Sequence, residues 1–225
     1  SLSRGLGDVY KRQVLIGKDT RVSGYMLEAA LQAGFLSVGM NVRLLGPLPT
    51  PGVAYLTKSF RNQCGVVISA SHNDYHDNGI KIFDNYGVKI DRKIEMMIEN
   101  ILSEEITSLP SVQIGKAKRF DESGPRYVEF CKSTVPDEIS FTNLRIVLDC
   151  ANGASYKVSP DVFNELGAET IVVGDNPDGF NINQECGSTN PELVQKLVKK
   201  HRADFGVSLD GDADRVTMWT KNLIF

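Results

Sequence analysis

The chain's 225 residues are 41% hydrophobic and 24% charged, with a formal net charge of -3; this is ordinary globular composition, with room for one large domain or two smaller ones. The weakly acidic balance argues against a nucleic-acid partner, which needs a basic face or stripe, and no run of about 18 apolar residues offers a membrane span. Cys64, Cys131, Cys150 and Cys186 never form a C-x-x-C pair, and no histidine has metal-ligand spacing. Reduced thiols in a cytoplasmic protein are therefore expected, not a zinc site or a disulfide frame.

The opening, SLSRGLGDVYKRQ, is Gly- and Arg-rich without a clear period. It lacks the apolar stretch of a secretory signal and reads as a disordered or foreign lead-in over residues 1–13. From Val14 onward, strands and helices alternate. VLIG is a short apolar strand, and Leu27, Ala30, Leu31 and Gly34 then recur at helical spacing. NVRLLG predicts a second strand, followed by a Pro-rich turn and a helix through Val53, Tyr55 and Leu56. GVVIS predicts a third strand, rich in β-branched residues. IKIF and VKI flank the turn residues DNYG and predict a hairpin, and a helix is expected from Arg92 to about Leu102. Thr107–Gly124 has Ser, Pro and Gly without a sustained period, which predicts connecting structure.

A helix around Tyr127–Cys131 leads into a second round: strand LRIVLD, loop CANGA, a helix through Val162 and Leu166, strand ETIVV, helix ELVQKLVKKH and strand FGVSLD. Pro191 suits a first helical turn, with Thr189 or Asn190 as its cap. Continuous apolar strands between amphipathic helices predict sheets buried on both faces. The fold class expected is α/β: two consecutive three-layer α/β/α domains with mixed, mostly parallel sheets, over 14–135 and 136–225.

Two loops carry candidate chemistry. In ISASHNDYHDNGIKIF a buried strand runs into ten small and polar residues at a carboxyl end, where open α/β sheets gather their ligands. A serine there can be phosphorylated, or it can simply cap a turn. Ser71 activated by His72 is a poor pairing, because neighbours in an extended loop project oppositely; His72 is expected to fix the loop or touch a phosphate. In VSLDGDADRV another apolar strand runs into Asp210, Asp212 and Asp214, with Gly211 permitting a tight turn. Three converging carboxylates form a hard oxygen site suited to magnesium. An EF-hand would need Gly and Glu where Arg215 and Lys221 stand, so that reading fails; a solvated acidic turn remains the plain alternative. Lys18 and Arg21, after the first strand, could reach a phosphate from the same edge, and Lys81 is near enough in sequence to share the serine's site.

With these residues assembled, the chain resembles the α-D-phosphohexomutase superfamily over about Val14 to Met218. The resemblance rests on GKDTRVSGYMLEAAL, GPLPTPGVAYLT, ISASHN with DNGIKIF, DCANGASY and LDGDADRV, and it favours the glucosamine branch over the phosphoglucomutase or phosphomannomutase branches. It implies a phosphoserine at Ser71 whose phosphate completes a Mg2+ shell with Asp210, Asp212 and Asp214. It further implies transfer of that phosphate to glucosamine 6-phosphate, a bisphosphate intermediate, and glucosamine 1-phosphate as product. Arg21 and Arg215 would steady the phosphate or the loops, with Asn73 beside them in binding phosphate or substrate; Lys81 would transfer protons, and His72 would be catalytic beside the nucleophile. The implied partner is a hexosamine phosphate, with no nucleic acid and no membrane.

The chain departs from the family at Asp74, where proline is usual after SHN. It also stops soon after the acidic loop, short of the family's third and fourth domains, so the expectation is that these residues alone turn over little substrate. Two rivals stand beside this reading. A haloacid-dehalogenase-type phosphatase would use Asp210 as nucleophile and leave the serine loop unexplained. A noncatalytic phosphosugar- or metal-binding protein would keep the loops without turnover.

Overall fold

A computed structural model describes residues 13–105 and 107–220; apart from Gln13, the lead-in expectation lies outside the described residues. Strand β1 (Gln13–Lys18) shows why the first sheet forms. Its side chains alternate faces, so Val14 and Ile16 join Val42, Val66 and Ile68 on one side while Leu15 meets Val53, Leu56 and Val67 on the other. Helix α1 (Ser23–Ser37) covers the first side with Leu27, Leu31 and Phe35. Helix α2 (Thr50–Ser59), opened by a proline in its first turn, covers the second. Each such aliphatic side chain contributes about 1.5–3 kcal/mol on full burial.

Around β1, strands β2 (Asn41–Pro47), β3 (Cys64–Ile68), β4 (Ile80–Phe83) and β5 (Ala117–Arg119) complete a sheet of order β4-β3-β1-β2-β5. Only β4 runs antiparallel. The expected hairpin exists, but its return segment is reduced to a single bridge, Phe83 to Lys89. Helix α3 (Arg92–Ile101) follows, capped by Asp91, whose side chain accepts from the Ile94 amide at 2.9 Å. The region expected to be mere connection contains β5, three residues that pair only with the edge of β2. So short an element has no hydrophobic period to announce it.

Helix α4 (Ser123–Ser133) precedes the second sheet. That sheet comprises β6 (Arg145–Asp149), β7 (Glu169–Val173), β8 (Phe205–Leu209) and β9 (Val216–Thr220), in the order β7-β6-β8-β9 with β9 antiparallel. Helices α5 (Val158–Glu165) and α6 (Pro191–His201) lie on opposite faces, Phe163 against Ile146 and Leu148, and Val194 and Val198 against Val147. Asn190 is the α6 cap residue, but its side chain makes no capping bond; three basic residues in the last turn favour the helix's negative end instead. Sequence patterning did not announce β9, an edge strand with alternating exposure.

The two sheets repeat one plan. A central first strand has the second strand on one side and the third on the other, and an antiparallel fourth lies outside the third. The serine loop joins β3 to β4, and the acidic loop joins β8 to β9. Val158 and Val162 of α5 pack into the core formed by α2 and α4, and this fixes the two carboxyl edges against each other. Among the described residues no helix is long and apolar enough to cross a membrane.

Candidate active site

Ser71 is held in the left-handed region, φ 54°, so the loop turns at this point instead of running extended as the sequence suggested. Such a backbone costs on the order of 1–3 kcal/mol and persists only when its surroundings over-determine it. Here they do. Ser69 Oγ accepts from the Ser71 amide at 3.0 Å, and the Ser69 amide donates to Gly79 O at 2.9 Å. Arg21 and Asn183 then grip the same two carbonyls from different sheets. The Arg21 guanidinium donates to Ser71 O at 3.2 Å and Asn73 O at 2.6 Å; Asn183 Nδ2 donates to both at 3.0 Å.

The turn aims Ser71 Oγ at the acidic loop, where it donates to Asp210 Oδ2 at 2.5 Å. Asp210 Oδ1 accepts from the amides of Asp214 and Arg215, both at 3.1 Å. Burial pushes the Asp210 carboxyl above its ordinary pKa; the Ser71 hydroxyl opposes this and the Asp212 charge adds to it. The loops touch because Gly211 has no side chain: a Cβ there would lie 2.6 Å from Ser71 O. Gly153 repeats the device in the CANGA loop, where a Cβ would lie 2.4 Å from Gly211 O.

Asp212 is gripped from the first sheet's side. Thr50, at the start of α2, donates its amide to Asp212 O at 2.9 Å and its hydroxyl to Asp212 Oδ2. Lys81 Nζ donates to Asp212 Oδ2 at 2.6 Å and Asp214 Oδ2 at 3.0 Å. Half-burial works to lower the Lys81 pKa, but the bonds and charges of Asp212 and Asp214 outweigh it and hold the ammonium form above the ordinary lysine value. The other Asp212 oxygen, Oδ1, is buried without a hydrogen-bond partner. One oxygen from each of Asp210, Asp212 and Asp214 lies within 4.8 Å of the others. Three carboxylates against one ammonium leave two negative charges, and an orphaned carboxylate oxygen needs a ligand. A hard divalent cation fits this donor set.

Several expected roles need correction. Arg21 is fully buried, and its five N–H groups face Asp19, the Ser69 hydroxyl and the carbonyls of Ser71, Asn73 and Asp74. None is left for a phosphate, so Arg21 positions the serine loop. Lys18 is spent on Glu28 at 3.2 Å and on the Tyr25 ring, which removes it from the site. Asn73 contributes its carbonyl to the latch while its side-chain amide donates to Asp77 at 3.0 Å. His72 and Arg215 are exposed at the rims of their loops. Sequence reasoning missed Thr50, whose one signal is its place between Pro49 and Pro51 after a strand. It also missed Asn183 and Asp149, a buried carboxylate that accepts from the amides of Ala151 and Gly187 at 2.9 and 2.6 Å.

Two mixed, mostly parallel sheets that meet at their strand ends, with a buried serine facing an acidic cluster, define an α/β protein with a built metal-compatible centre. Residues 1–108 match phosphoglucomutase/phosphomannomutase alpha/beta/alpha domain I, and residues 125–223 match domain II of the same family. The chain belongs to that family. It is 57% identical over 205 residues to a phosphoglucosamine mutase of Chromobacterium violaceum, covering 91% of this chain and 46% of that protein. It is 55% identical over 208 residues to the phosphoglucosamine mutase of Legionella pneumophila strain Corby, covering 92% and 46%. The crystal structure of a phosphoglucomutase/phosphomannomutase family protein from Burkholderia thailandensis superposes with a TM-score of 0.78 at 26% identity, covering 94% of this chain and 47% of that one. The chain thus spans about half the length of the curated relatives it matches.

Proposed function

We propose that this chain carries the phosphoserine and magnesium machinery of a mutase that interconverts glucosamine 6-phosphate and glucosamine 1-phosphate. The observation that carries the reading is the 2.5 Å hydrogen bond from Ser71 Oγ to Asp210, from the loop of one sheet to the loop of the other. The phosphoglucosamine mutases at 57% and 55% identity favour an amino sugar over glucose or mannose phosphates.

Magnesium held by Asp210, Asp212 and Asp214 would neutralise charge on the transferring phosphoryl group. The chain's own residues position and balance protons, which is most of what phosphoryl transfer asks of a protein. In the forward direction the bond from Ser71 Oγ to phosphorus breaks as the sugar's C1 hydroxyl oxygen bonds the phosphorus. The proton lost by that hydroxyl balances the one Ser71 Oγ regains. The resulting bisphosphate then returns its 6-phosphoryl group: the bond from the sugar's C6 oxygen to phosphorus breaks as Ser71 Oγ bonds the phosphorus. The proton Ser71 loses along the bond directed at Asp210 is matched by the one the C6 oxygen gains. Lys81, held as an ammonium, is suited to give a proton rather than take one. Arg21, Asn183 and Thr50 keep the two loops in register throughout. Asp210 is engaged at both oxygens, and the serine loop has a role, so a phosphatase with Asp210 as nucleophile accounts for less of the site.

The test is intact-mass analysis after incubation with glucosamine 1,6-bisphosphate and magnesium. One phosphoryl group mapping to Ser71, and absent from Ser71→Ala, is expected. No transfer, or transfer that persists in Ser71→Ala, overturns the proposal.

A further inference from the structure

Thr50 differs from the other side chains that grip the acidic loop because it brings no charge. It is the first residue of α2, it is buried, and it meets Asp212 twice. Its amide donates to Asp212 O at 2.9 Å and its hydroxyl donates to Asp212 Oδ2. The rest of the helix start is closed to the loop. Pro51 has no N–H, and the amides of Gly52 and Val53 turn back to Pro49 O at 2.8 and 3.1 Å. The positive end of α2 is thus committed to one residue of the acidic loop.

The consequence falls on the Asp212 carboxylate. Such a group turns about its last bond between two equivalent settings, so a neighbour must fix which oxygen faces where. Asp212 Oδ2 accepts from Thr50 and from Lys81 Nζ, the latter at 2.6 Å, while Oδ1 is buried with no partner. Two donors on one oxygen and none on the other is a directed arrangement: Oδ2 is held from the first sheet, and Oδ1 is left for a cation. Lys81 is a poor guide to orientation, because its ammonium sits on a flexible stem and is shared with Asp214 at 3.0 Å. Threonine is branched at Cβ and has few rotamers, so its hydroxyl is a stiff peg.

Given the magnesium centre proposed above, we infer that Thr50 is a positioning residue for it. The hydroxyl fixes Asp212 with Oδ1 free for the ion, and metal affinity in the loop of the second sheet is thereby set from the first. Partners that orient metal-binding side chains in this way contribute about ten- to a hundredfold in affinity.

Isothermal titration of the 225-residue chain with magnesium chloride tests this. Thr50→Val and Thr50→Ala both delete the hydroxyl without altering charge, the first keeping the shape. Each should weaken magnesium binding about ten- to a hundredfold. Thr50→Ser restores the hydroxyl on a looser side chain and should bind within about threefold of wild type. Thr57→Val removes a buried hydroxyl of the same helix, one that donates to Val53 O at 2.8 Å, and should bind magnesium as wild type does. Asp212→Asn tells the two levels apart. Binding that Asp212→Asn loses but Thr50→Val and Thr50→Ala retain overturns the role of Thr50 and leaves the metal centre standing. A wild type that binds no magnesium overturns both. Thr50→Ser as weak as Thr50→Val, or Thr57→Val equally weak, also overturns the role, since packing and not the hydroxyl would then set the affinity.

Discussion

Replacing Arg21 by methionine keeps the length of a fully buried side chain and removes five donors from the serine loop. The largest loss is the ion pair to Asp19, whose side chain is equally buried. Removing one partner of such a pair costs about 3–5 kcal/mol, because the other charge stays in place without compensation. The loop carbonyls add less, since Asn183 still donates to Ser71 O and Asn73 O. Asp19 Oδ1 also keeps its 2.9 Å bond from the residue 21 amide, which the substitution leaves intact. A fall in melting temperature on the order of 10 °C follows for a chain of this size. Burial pushes the Asp19 carboxyl up and Arg21 opposes that, so without Arg21 it rises further. A raised folded-state pKa penalises stability only where the unfolded carboxylate is ionised, above about pH 4. The deficit therefore grows as pH climbs above the ordinary carboxylate range and shrinks as pH falls toward it. Asp19→Asn in the same chain removes the stranded charge and should recover roughly half of the loss. Urea and thermal unfolding followed by circular dichroism provide the measurement. An Arg21→Met variant within about 1 kcal/mol of wild type, or a double variant no better than the single, refutes the argument.

Magnesium should raise the melting temperature of the wild-type chain, by about 2.7 kcal/mol of stability at a hundredfold excess over Kd; chelation should reverse the gain and Asp212→Asn abolish it, and a wild type indifferent to the ion counts against the acidic loop as a metal centre. Lys81→Met leaves Asp212 and Asp214 without their ammonium and should destabilise the metal-free protein by about 1–3 kcal/mol. The raised Lys81 pKa means its contribution is fully present below the ordinary lysine value of 10.5 and lost as pH climbs beyond it. The gap between wild type and variant should therefore close in that alkaline range, and a gap that widens there would contradict the pairing. Burial pushes the thiol of Cys64 to about 11, that of Cys186 to about 12 and that of Cys150 higher still. Native-state alkylation at pH 8 should be at least about a hundredfold slower than in urea, since the thiolate is the nucleophile; equal rates would mean that these thiols are not buried.

The strands of both sheets were legible because their faces are buried on both sides, so their apolar runs are unbroken, as in Val14–Ile16 and Ile146–Leu148. Strands β5 and β9 were not. Each is an edge element with one face at solvent, and β9 carries only one buried residue, Trp219. In the site, the three aspartates stood out as carboxylates crowded at a strand end, Ser71 through the family resemblance and Lys81 through its nearness in sequence, and the structure brings them together. Arg21 was found with both roles open, phosphate or loop: a cation after a strand looks the same in sequence whether it faces a phosphate or a ring of backbone carbonyls.

What the sequence settles by itself is local. Periodicity determines which segments become strands and helices, glycine marks where two backbones must touch, and composition at strand ends selects the loops that carry chemistry. What only the tertiary structure decided is which groups meet. Thr50 and Asn183 lie 162 and 112 residues from the atoms they hold, and no local pattern encodes a partner at that distance. Those pairings arise because α4 and α5 pack into one core and bring two sheet edges face to face. Only then does a serine hydroxyl find a carboxylate, and only then does a buried arginine spend its donors on the loop instead of on a ligand.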